Sequence, residues 1–74
     1  MRLTPKDNYL IATYAFAMVS NIIDLIEAGK LSADSPLIDE TREGTIDNMA
    51  RLYAPEYKSE IGACVDKVFD TCLM

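Results

Sequence analysis

The chain has 74 residues, of which half are hydrophobic, and it carries a formal net charge of −5. This length predicts one small, marginally stable domain, and the hydrophobic fraction excludes a disordered chain. The negative charge argues against direct binding to nucleic acid and favours a protein partner with a basic surface.

The first predicted element is a long helix over about residues 5–28. Thr4 can cap it, Pro5 suits its first position, Asp7 falls at the capping-box position, and Gly29 supplies the stop. Two adjacent apolar stripes run along this helix, so both sides need to be covered. We therefore expect helix 1 to be central in the bundle and a second copy to cover its spare side. The predicted dimer seam is one stripe: Ile11, Ala15, Met18, Ile22 and Leu25.

The segment from Tyr9 to Ile23 carries no charge, which raises the question of a membrane span or a signal peptide. Fifteen helical residues reach about 22 Å, less than the bilayer core of about 30 Å. Asp24 and Glu27 follow directly, and Asp7 lies where a signal peptide would be positive. We expect neither a membrane partner nor export. Because two cysteines are too few for a secreted disulfide framework, the cytoplasm is the expected location.

Two further helices are expected. After a loop over residues 29–35, Ser35 can cap a second helix over about residues 36–54, which Gly44 could break. Pro55 can end that helix and open a third over about residues 55–73. No stretch has the alternation of a strand. The sequence predicts an all-α fold over residues 1–74, a small antiparallel bundle of about three helices with a long, highly apolar first helix.

Cys64 and Cys72 belong to the apolar stripe of helix 3. Eight helical residues separate them by about 12 Å, too far for an intrachain disulfide. The chain has no histidine and no third cysteine, so a metal centre is not expected. The cysteines are interpreted as core residues.

The acidic segment over residues 39–50 partly fits a calcium loop. Asp39, Thr41 and Glu43 occupy its first, third and fifth positions, and Gly44 occupies the sixth. Ala50 stands at the twelfth position, where the loop needs a bidentate glutamate. The alternative interpretation is a solvated acidic turn.

The pair Asp34 and Ser35, in the middle of a short acidic helical chain, is similar to acyl carrier proteins. In that family a serine after an aspartate at a helix start carries phosphopantetheine, so the resemblance implies Ser35 as the attachment site. The pattern departs at Pro36, where the family has an apolar residue. The alternative is that Ser35 is an ordinary helix cap.

We expect a non-catalytic protein without a cofactor, because histidine, a phosphate-binding loop and a nucleophile motif are all missing from the sequence. The expected function is occlusion of a basic site on a partner protein, as in virus- or plasmid-encoded inhibitors and antitoxins. Tyr53 and Tyr57 are the expected anchors. The residues expected to steer the chain toward the partner's basic site are acidic: Asp39, Glu40, Glu43 and Asp47. The alternative is a self-assembling structural protein, and a carrier or calcium-binding protein comes third.

Overall fold

A computed structural model describes residues 3–53 and 55–73 of the chain. It contains helix α1 at Pro5–Glu27, helix α2 at Pro36–Leu52 and helix α3 at Lys58–Leu73, with a short 3₁₀ helix at Pro55–Tyr57 directly before α3. No strand occurs in these two ranges. The fold is a small antiparallel all-α bundle with a long first helix, which confirms the predicted fold class.

Local hydrogen bonds explain where α1 begins and ends. The amide of Asp7 donates to Thr4 Oγ1 at 3.1 Å, and the amide of Thr4 donates to Asp7 Oδ2 at 3.0 Å, which completes the predicted capping box. These bonds from Thr4 lower the pKa of the Asp7 carboxyl. At the other end Gly29 adopts φ 73°, and the Lys30 amide donates to the Leu25 carbonyl at 2.9 Å. The left-handed glycine therefore terminates α1.

Helix α2 begins as expected and continues through Gly44 without a break. Ser35 Oγ accepts from the Leu37 amide at 3.2 Å. The hydroxyls of Thr41 and Thr45 each donate to the carbonyl four residues earlier, at 2.7 Å. Helix α2 ends at Leu52, and Ala54, the last residue of the predicted helix, lies outside the described residues.

The central helix is α3, which corrects the expectation that helix 1 is central. Helices α1 and α2 both pack mainly against α3 and contact each other little. The antiparallel course of α2 and α3 is visible in two ion pairs, Arg42 with Asp66 at 2.6 Å and Asp47 with Lys58 at 3.0 Å. The shared core contains Ile11, Ala15, Val19, Ile22, Ile46, Met49, Ala50, Ile61, Val65, Val68 and Phe69.

Helix α1 is the most apolar element, yet it is poorly covered. Its 23 residues make it long and apolar enough to cross a membrane, and 22% of its most apolar window is buried. Core helices of soluble proteins and signal sequences meet the same length and composition criteria, and core helices are mostly buried. The expectation that the chain has no membrane partner was based on the shorter segment from Tyr9 to Ile23. It stays a prediction.

Candidate functional site

An acidic surface forms on the outer side of α2. Glu40, Glu43 and Asp47 follow one another at spacings of three and four residues, so they share one helix face, and all three are exposed. Asp39 lies on the flank that faces α3, beside a hollow also lined by Phe69. Three of the four predicted steering residues therefore share one outward surface, which we call the acidic face.

Arg42 lies within the acidic face in the sequence, but its closest contact is with α3. Its guanidinium turns toward α3 and donates to Asp66 Oδ1 at 2.6 Å, with Asp39 at 3.4 Å and Glu43 at 3.7 Å. The hydrogen bond to Asp66 is the main cause that raises the pKa of Arg42. The cation is thus held between two helices. At the other end of the face Asp47 pairs with Lys58.

The predicted tyrosine anchors lie elsewhere on the molecule. Tyr53 and Tyr57 are half-buried and pack against the core near the junction of α2 and α3. The large apolar side chains that α2 exposes are instead Leu37 and Leu52, the latter 74% exposed. Sequence reasoning missed both because they lie outside the stripe that defined the core of helix 2.

Burial corrects the predicted dimer seam. Ile11, Ala15 and Ile22 are buried in the chain's own core, and Met18 is half-buried against it. Side chains already packed against α2 or α3 are not available to a second copy. Of the five predicted seam residues, Leu25 alone is an exposed large apolar side chain.

An open hollow lies between α1 and α2. It is lined by Tyr14 on α1 and by Asn48, Met49, Arg51 and Leu52 on α2, and its volume is about 380 Å³. Both helices pack mainly on α3 rather than on each other, which leaves this space between them.

Both cysteines lie on α3 and are free thiols. They are half-buried at the margin of the core, which modifies the expectation that they are core residues. Cys64 Sγ is 3.9 Å from the carbonyl oxygen of Asn8, to which it can donate. Partial burial raises the pKa of the Cys64 thiol. A raised pKa lowers the thiolate fraction and so disfavours reactivity.

The structure bears on both the calcium and the carrier interpretations. Residues 39–50 lie within the continuous helix α2, whereas a calcium-binding hand holds its ligands on a loop. In residues 3–53 and 55–73, no group of three or more His, Cys, Asp or Glu side chains is arranged to hold a metal ion. Ser35 acts as the N-cap of α2.

Comparison with known proteins finds no matching family model, no similar curated protein and no similar solved structure. The surface features that bear on function are therefore the acidic face and the hollow between α1 and α2.

Proposed function

We propose that this chain is a non-catalytic protein-binding module whose acidic face docks on a basic surface of a partner protein and occludes it. The observation that carries the proposal is the arrangement of Glu40, Glu43 and Asp47 on one exposed helix face, while Arg42 makes its closest contact with Asp66 on α3. A negative surface of this kind raises the rate of encounter with a positive one.

Helix α2 is a suitable support for such a face. Its N-cap, its threonine hydrogen bonds and its ion pairs to α3 hold the carboxylates in a fixed order along the bundle. Preorganised charges lose less conformational entropy on binding than charges on a mobile segment. In this proposal binding itself blocks the partner's site, and the chain needs no cofactor.

The test begins with affinity capture of the partner from the native host, followed by kinetic measurements on the captured protein. The variant Glu43→Gln/Asp47→Asn removes two charges from the acidic face. The control Glu56→Gln/Glu60→Gln removes two exposed charges elsewhere. We expect the first variant to lower the association rate constant and to weaken its dependence on salt, while the control changes both less.

Two outcomes would contradict the proposal. Equal effects of the two variants would mean that net charge matters and the acidic face does not. An unchanged association rate in both would mean that the partner binds another surface.

A further inference from the structure

A small hollow lies at the end of the bundle where α2 begins and α3 ends. Because these helices are antiparallel, residues of the first turns of α2 and of the last turns of α3 line it together. Its volume is about 170 Å³, below the range of about 300–1,000 Å³ that is typical of small-molecule sites. The hollow, which we call the end pocket, is therefore of a size that suits a single side chain.

The inner surface of the end pocket is apolar. Phe69 lines it and is 3% exposed, so it belongs to the core and the pocket at once. Ile38 and Leu73 also line it and are half-buried against the core. The space is already present in the free chain, so a side chain that enters it removes apolar surface from water without requiring the helices to move.

Carboxylates lie beside this apolar surface. Asp39 and Asp70 both line the end pocket and are exposed. Asp70 forms no ion pair within residues 3–53 and 55–73, and the contact of Asp39 with Arg42 is 3.4 Å long. Arg42 lines the pocket as well, but its closest contact, at 2.6 Å, is with Asp66. The lining therefore has two negative charges against one positive charge that is already engaged.

We propose that the end pocket holds one lysine or arginine side chain of the partner protein, an inference that rests on the proposed function. The aliphatic stem of that side chain packs on Ile38, Phe69 and Leu73. Its positive charge lies near Asp39 and Asp70. A neutral aliphatic side chain would fill the same space but remove water from the two carboxylates without replacing it. An acidic side chain would be repelled.

The end pocket adjoins the acidic face. Asp39, which lines the pocket, precedes Glu40 in α2, and Arg42 contacts both Asp39 and Glu43. A basic surface that docks on the acidic face therefore has access to the pocket. The pocket also supplies an anchor for that surface, because the predicted tyrosine anchors lie at the opposite end of α2.

The first test needs no partner protein. The N-acetyl, N-methylamide derivative of lysine is titrated into the methyl-labelled chain, and the methyl signals of Ile38 and Leu73 are followed by NMR. The same derivative of norleucine, which has the lysine stem without the charge, is the control. We expect saturable shifts in the millimolar range for lysine and weaker binding of norleucine. Asp39→Asn/Asp70→Asn is expected to weaken lysine binding about tenfold, and the arginine derivative is expected to bind like lysine.

The second test uses the captured partner and fills the pocket without changing its charge. Ala33 lines the end pocket, so Ala33→Phe places a large side chain in it. The control Ala63→Phe places the same side chain at an exposed position of α3 that does not line the pocket. We expect Ala33→Phe to raise the dissociation rate constant about tenfold and Ala63→Phe to leave it unchanged. Circular dichroism checks that both variants are folded.

The proposal is wrong if the lysine derivative gives no saturable shift, if norleucine binds equally well, or if Ala33→Phe and Ala63→Phe dissociate at the same rate. The two proposals can fail separately. A partner that responds to Glu43→Gln/Asp47→Asn but not to Ala33→Phe would contradict the end pocket and support the acidic face. A partner that responds only to Ala33→Phe would support the end pocket and contradict the acidic face.

Discussion

At the scale of single residues, the direction of the Arg42 side chain affects how acidic the outer side of α2 is. Arg42 is one of four charged residues between positions 39 and 43, and its sequence neighbours give no reason to separate it from them. In the fold its guanidinium reaches Asp66, which lies 24 residues later in the chain. The side chain is 28% exposed, so the interaction is shielded more than an ordinary surface ion pair.

Replacing Arg42 tests whether its ion pair with Asp66 stabilises the fold. We expect Arg42→Met to lower the free energy of unfolding by about 1 kcal/mol, because a short charge-assisted hydrogen bond between helices is lost. Lys67→Met is the control, since Lys67 is exposed on α3 and forms no ion pair within the described residues. Urea denaturation followed by circular dichroism measures both. The loss is expected to shrink at high salt, and equal losses in the two variants would contradict the assignment.

At the scale of elements, two glycines have opposite roles. Gly44 lies inside the continuous helix α2, where a β-carbon would meet no atom within 4 Å. Gly29 ends α1 with a positive φ, which residues with a side chain rarely adopt. Sequence reasoning identified Gly29 as a stop and left open whether Gly44 breaks helix 2, because glycine is compatible with both states.

Alanine substitutions at these two positions should shift stability in opposite directions. Gly44→Ala is expected to raise the free energy of unfolding by about 0.5–1 kcal/mol, because alanine restricts the unfolded chain and favours the helix. Gly29→Ala is expected to lower it by about 1 kcal/mol, because alanine is strained in the left-handed conformation. Thermal denaturation of both variants measures the difference. A destabilising Gly44→Ala would show that α2 is interrupted.

At the scale of the whole molecule, α3 organises the bundle although α1 is longer and more apolar. Both α1 and α2 pack mainly against α3, on which Ile61 and Val65 have no exposed surface. Helix α1 in contrast leaves Leu10 46% exposed and Phe16 51% exposed. A small bundle has too little chain to cover two sides of a long helix, so part of α1 remains open.

A pair of truncations tests whether the outer side of α1 is open, as the exposure of Phe16 indicates. Ile61→Ala is expected to lower the free energy of unfolding by about 3 kcal/mol, because a fully buried side chain leaves a cavity between helices. Phe16→Ala is expected to change it by less than about 0.5 kcal/mol despite removing a larger side chain. Urea denaturation of the two variants supplies the comparison. Similar losses at both positions would place the outer side of α1 in an interface.

The sequence alone determined the helical class, the three segments and most of their boundaries, because capping residues, prolines and apolar periodicity act over a few neighbouring residues. It also identified the carboxylates that form the acidic face, since their spacing on α2 follows from helix geometry. Which helix is central, where Arg42 points and which leucines remain exposed were decided by the tertiary structure. Each depends on how α1 and α2 share α3, a competition between distant segments that local patterns do not contain.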